Sequence, residues 1–193
     1  DPSLFKFDII ATSYYLLGFS SGKFAADIII PESYNGLPIA EIYNNAFANL
    51  GGIKSVYIPP NVKRIGKNAF YGCSDLYRLV LSEGLYQIDE EAFYNTSIEN
   101  LVIPSTVVII ENLAFSNCKL KSVVIKCSDA RISGNTFATN TSLESVTLPQ
   151  GMTSICSGMF SRCSGLQTID LPQSITTIGN YAFSGCVSLA NTS

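Results

Sequence analysis

Ile53-Lys54-Ser55-Val56-Tyr57-Ile58-Pro59-Pro60-Asn61-Val62-Lys63-Arg64-Ile65-Gly66-Lys67-Asn68-Ala69-Phe70-Tyr71-Gly72-Cys73 is one copy of a unit that recurs along the whole chain. Leu166 to Cys186 is its clearest second copy. The phenylalanine sets the register. Phe47, Phe70, Phe93, Phe115, Phe137, Phe160 and Phe183 are spaced 23, 23, 22, 22, 23 and 23 apart. Five residues before each stands an isoleucine: Ile42, Ile65, Ile88, Ile110, Ile132, Ile155 and Ile178. Eight before the Phe are Ile39, Val62, Leu85, Val107, Asp129, Met152 and Ile175, a column with one polar break. About six after it come Ile53, Leu76, Ile98, Leu120, Leu143, Leu166 and Leu189. Three later lie Val56, Leu79, Leu101, Val123, Val146 and Ile169, and two later again Ile58, Leu81, Ile103, Ile125, Leu148 and Leu171. Pro59, Pro104, Pro149 and Pro172 follow this last column.

Each piece has a physical reading. Leu-x-x-Val-x-Ile alternates with a period of two, which puts Val and Ile on one face of a strand. The proline removes a backbone donor and ends that strand. Val-x-x-Ile supplies a second short extended piece. Gly-x-x-Ala-Phe-x-Gly-Cys is a tight, small-residue turn with one inward aromatic. A single unit cannot bury its apolar side, whereas stacked units align like on like and share a continuous core. The pattern therefore predicts a β-rich repeat solenoid of seven coils, with parallel strand ladders joined by short turns or 3-10 pieces. Coils in such a ladder rise about 4.8 Å each, for a body of roughly 34 Å. The first coil fits as Ile28, Ile30 and Pro31, with an insertion around Tyr34-Asn35-Gly36 before Ile39.

The consensus L-x-x-V-x-I-P-x-x-V-x-x-I-G-x-x-A-F-x-G-C resembles the BspA-type leucine-rich repeat, over about residues 24–190. The resemblance implies a right-handed leucine-rich-repeat coil. It also implies a protein that is secreted or displayed on the cell surface by a host-associated bacterium, or in some cases by a parasitic protist. Adhesion to host proteins or to other microbes is the role the resemblance carries. Phe7-Asp8-Ile9-Ile10 and Tyr15-Leu16-Leu17-Gly18-Phe19 resemble the lead-in hairpin of such proteins. The expected division is thus a capping hairpin over 1–23 and a solenoid over 24–193, one domain overall. Ser188-Leu189-Ala190-Asn191 begins an eighth repeat. The expectation there is an uncapped coil, belonging to a longer array or covered by another chain, which leaves room for self-association.

Composition narrows the function. Of 193 residues, 47% are hydrophobic and 14% charged, against a usual charged share of about 25%. Such a chain is core-rich and ordered rather than disordered. Twelve basic residues against 15 acidic give a net charge of −3, no drive towards nucleic acid or an anionic membrane. No apolar run approaches the roughly 18 residues that span a bilayer, so no membrane insertion is expected. Histidine, the commonest acid–base group, is absent. With no Cys-x-x-Cys pair either, neither a zinc site nor any other cofactor is expected.

Cys73, Cys118, Cys163 and Cys186 all lie three residues after the Phe, where Thr96 and Asn140 stand in other coils. Their placement reads as a ladder of buried structural thiols. Cys163 and Cys186 are in neighbouring coils, and a disulfide between them is the alternative. Cys127 and Cys156 fit no column. Asp89-Glu90-Glu91 is a carboxylate run that reads as a solvated turn. Asn95, Asn140 and Asn191 open N-x-Ser sequons, a short motif that arises often by chance.

The candidate site is the residue between the two inward positions of each strand. Down the stack these are Ile29, Tyr57, Val80, Val102, Val124, Thr147 and Asp170: five apolar coils followed by two polar ones. Branched residues suit strands even when exposed. Alternatively the column is a contact strip for a partner, since contiguous exposed apolar patches mark interfaces. The flanking column Lys54, Tyr77, Glu99, Lys121, Glu144 and Gln167 is mixed in sign and reads as solvated. The tyrosines, among them Tyr71 and Tyr94, are spread over different repeat positions and form no evident platform for a sugar. The sequence thus favours a non-catalytic recognition module, and the resemblance implies an extracellular or cell-surface one, adhesin-like, that binds a host or microbial surface protein. A structural spacer segment and a polysaccharide-binding accessory module are the alternatives.

Overall fold

Strands form where the Val-x-Ile and x-Ile pairs stand. The computed structural model describes residues 1–190, a β-solenoid of about seven turns. The Val-x-Ile pairs build a first parallel ladder. Asp27–Ile29, Ser55–Ile58 and Arg78–Leu81 form one sheet; Asn100–Ile103, Ser122–Ile125, Ser145–Thr147 and Thr168–Ile169 form the next. Register is like on like: Ile28 lies beside Val56, and Val56 beside Leu79. Leu101 is beside Val123, then Val146 and Ile169. The interruption between Leu81 and Asn100 coincides with the first 22-residue coil.

A second parallel ladder runs Leu37–Ile42, Arg64–Ile65, Gln87–Ile88, Ile109–Ile110 and Arg131–Ile132, with Ser154–Ile155 and Thr177–Ile178 paired separately. This break falls at the coil in which Asp129 takes the apolar position. An unpaired carboxylate is costly to bury, and Asp129 is exposed. Cys127, two residues earlier, is buried and joins the core.

The turn side holds a third row of hydrogen bonds. Phe47 N donates to Ala69 O at 2.8 Å, Phe70 N to Ala92 O at 2.8 Å and Phe93 N to Ala114 O at 2.9 Å, and so on to Phe160. Of the short turns or 3-10 pieces expected here, the chain uses turns. Among the described residues the 3-10 conformation occurs at Pro2–Leu4. The reason is a left-handed residue two before and two after each Phe, such as Asn68 (φ 56°) and Gly72 (φ 67°). Each such residue stops a helical turn from propagating, and Asn and Gly, which tolerate this region, fill most of the two columns.

Inside, the phenylalanines form a spine. Phe47, Phe70, Phe93, Phe115, Phe137 and Phe160 are wholly buried. Adjacent rings stack, with centroids 5.0 Å apart at Phe47–Phe70 and 5.8 Å at Phe137–Phe160. An antiparallel hairpin of Phe5–Ile10 and Ser13–Phe19 adjoins the first coil. Its second strand pairs in parallel with Leu37–Ile42. Its Phe19 stacks on Phe5 and meets Phe47 edge-on at 5.2 Å. The insertion is a tight turn at Asn35-Gly36 that presents Tyr34 to Phe7.

Candidate functional site

The first ladder points its alternate residues outward, because successive strand side chains leave opposite faces. Ile29, Tyr57 and Val80 lie side by side in one sheet, and Val102, Val124 and Thr147 in the next. Ile29 is 71% exposed, Val102 45% and Tyr57 38%. Val80, Thr147 and Asp170 are exposed too, and Val124 is half-buried. Arg78 and Asp27 border the upper end, where a shallow hollow of about 280 Å³ forms over Ile29, Tyr57 and Val80. Nearby, Ser55 Oγ donates to Asp27 Oδ1 at 2.5 Å. In the flanking column, Lys121 pairs with Glu99 at 3.0 Å and the other side chains are exposed.

The six cysteines are free thiols. Four form the rungs of a ladder, three of them buried and Cys186 half-buried: Cys73, Cys118, Cys163 and Cys186 donate to the Phe carbonyl of the preceding coil, Phe47, Phe93, Phe137 and Phe160, at 3.0 to 3.3 Å. Asn140 does the same work with its amide, donating to Phe115 O at 2.9 Å and Phe137 O at 2.8 Å. Burial pushes Cys73 and Cys118 up to about 11 and Cys163 to about 12. They stay protonated at neutral pH, where a thiol is a poor nucleophile and a poor metal ligand. Asn140 is wholly buried, so its sequon is closed to modification, whereas Asn95 is exposed. Asn191 lies outside the described residues.

One expectation is overturned. Asp89 is 7% exposed rather than solvated. It accepts from Arg64 Nη2 and, at 2.7 Å, from Gln87 Nε2. Arg64 Nη1 meets Glu41 at 2.9 Å on the other side. The ladder places Glu41 beside Arg64 and Arg64 beside Gln87, so the guanidinium neutralises carboxylates from both neighbouring coils. Burial works against the Arg64 charge, and the hydrogen bonds to Asp89 and Glu41 outweigh it, raising its pKa. Glu90 pairs with Lys67 at 2.5 Å. The partners of Asp89 and Glu90 sit one coil away, which hides them from a reading along the chain.

The tyrosines also need correction. Tyr71 and Tyr94 share one repeat position, directly after the Phe, and their rings stack at 5.3 Å. The +1 spacing was the signal. Among the described residues, no helix is long and apolar enough to cross a membrane.

The family description "BspA type Leucine rich repeat region" fits six copies of the unit, over residues 19–121 and 108–193. A leucine-rich repeat protein from T. pallidum is similar in structure, with a TM-score of 0.88 and 28% identity over 99% of this chain and 90% of that one. A leucine-rich repeat protein from Bacteroides ovatus gives 0.81 and 25%, over 96% of this chain and 50% of that one. Another, from Bacteroides capillosus, gives 0.58 and 27%, over 65% and 96%. No curated protein matches the chain.

Proposed function

The chain belongs to the BspA-type leucine-rich repeat family, and from that premise we propose that it is a non-catalytic recognition module, displayed outside the cell, that binds a surface protein through the outward face of its first ladder. Solenoids use extended repeat surfaces for binding, which supports the class of function. The observation that carries the assignment to this face is the run of exposed apolar side chains down the stack: Ile29, Tyr57 and Val80 in register in one sheet, and Val102 opening the next. Solvent gains nothing from such a run, and a partner that covers it gains about 25 cal/mol for each Å² of apolar surface removed from water. Residues 1–23 serve in this reading as the cap of the array, a role supported by the packing of Phe5 and Phe19 on Phe47.

The test is a double variant, Tyr57→Lys with Val102→Lys, both on the outward face and away from the spine. Wild type and variant are passed over immobilised extracellular-matrix and microbial surface proteins. The variant is expected to keep its melting temperature and lose the capture that the wild type shows. Equal capture by both would sink the assignment to this face.

A further inference from the structure

In most coils the inward Leu or Ile follows the Phe by six residues, as Leu76 follows Phe70. In two consecutive coils it follows by five: Phe93 to Ile98 and Phe115 to Leu120. These are the 22-residue coils, and the missing residue comes out of the loop after the Cys or Thr rung. Stacking sets the two short loops side by side, with longer loops on either flank. The surface is notched there. A hollow of about 530 Å³ opens between Ser74 on one flank and Thr141 and Ser142 on the other, with Ser97 and Lys119 on the short loops between.

A second hollow of about 430 Å³ meets it at Thr139. This one has an aromatic wall. Tyr71 covers one face of Tyr94. The following coils carry Ser116, Ala138 and Ser161 in the same column, too small to cover the other face, and the hollow opens over them. Glu91 and Arg162 stand among its lining residues.

A flat phenol ring beside a trough of hydroxyls and amides has a particular fit. A pyranose offers a face of C–H bonds to an aromatic ring and a rim of hydroxyls that need both donors and acceptors. Both hollows fall within the size range of small-ligand sites, about 300–1,000 Å³. A peptide side chain would instead want an apolar socket, and a polyanion would want a clear excess of cations, which Arg162 and Lys119 against Glu91 do not provide. We propose that the notch made by the two short coils is a carbohydrate-binding site, separate from the strand face. One sugar ring rests on Tyr94, and the glycan runs past Thr139 into the hollow between Ser97 and Lys119.

The experiment titrates the whole chain by calorimetry with cellotetraose, mannotetraose, xylotetraose and chitotetraose. Two variants probe the notch with residues already present in the same repeat columns. Tyr94→Ser copies Ser116 and Ser161. Thr139→Arg copies Arg162, which holds the same left-handed backbone (φ 60° against 62°), and blocks the junction of the hollows. Circular dichroism checks that both are folded. At least one tetrasaccharide is expected to bind, with affinity at least tenfold lower in each notch variant and unchanged in Tyr57→Lys/Val102→Lys. Absence of binding to all four sugars overturns the proposal. So does binding that survives both notch variants, or that fails only in the strand-face variant.

Discussion

Replacing Phe93 by alanine tests whether stacked coils share one core. The ring is wholly buried and lies 5.1 Å from Phe70 and 5.1 Å from Phe115, nearly parallel to both. Truncating a buried Phe to Ala costs about 3–5 kcal/mol. Each lost stacked pair is worth about 0.5–1.5 kcal/mol beyond area burial, which places Phe93→Ala near the top of that range. Phe183→Ala is the control. That ring is half-buried and stacks on Phe160 at 5.7 Å. With one stacked neighbour and less burial, its loss should cost about 1–2 kcal/mol. Equilibrium urea unfolding, followed by far-ultraviolet circular dichroism, measures both. Costs within about 1 kcal/mol of each other would refute the shared spine, since position in the stack would then not matter.

The ladder residues make further predictions. Asn140→Ala leaves the carbonyls of Phe115 and Phe137 without this donor and should cost about 2–3 kcal/mol in urea; Asn140→Cys, which restores the rung found at Cys118 and Cys163, should recover most of it. Arg64→Ala leaves the buried Asp89 carboxylate with Gln87 alone and should cost about 1–3 kcal/mol, while Lys67→Ala, in an exposed pair, should leave the melting temperature unchanged. The folded protein holds the thiol protons of Cys73, Cys118, Cys127 and Cys156 to about pH 11 and that of Cys163 to about 12, against 9.0 ordinarily. The folded state therefore binds these protons more tightly than the unfolded chain. Their contribution to stability is complete below pH 9 and is lost as the pH rises through 11 to 12, so urea midpoints should fall above pH 9; a flat profile from pH 8 to 11 would contradict the burial of these thiols.

The fold could be read from the sequence because each core column is made by residues of one chemical kind at one interval. Phe and the Ile five before it needed no structure to place them. The same logic put Tyr57 and Val102 on the outward face. What it missed depends on neighbours one coil away. Asp89 looks solvated among Glu90 and Glu91 until stacking brings Arg64 alongside it. Cys127 fits no column yet joins the core, in the coil where Asp129 turns out to solvent. Tyr71 and Tyr94 share a position that was visible in the spacing, yet only stacking shows that Tyr94 has a covered face and an open one. The two short coils were plain as an interval of 22; that they notch the surface follows from their being adjacent.

The most direct measurement of where the chain binds is site-specific photo-crosslinking in the presence of a captured partner. A benzophenone side chain at position 102 lies on the strand face. One at position 181 lies on the turn face, where Tyr181 is 76% exposed. Crosslinking from position 102 and none from position 181 is the predicted result. Crosslinking from position 181 alone would place the partner on the turn side of the solenoid and contradict the account.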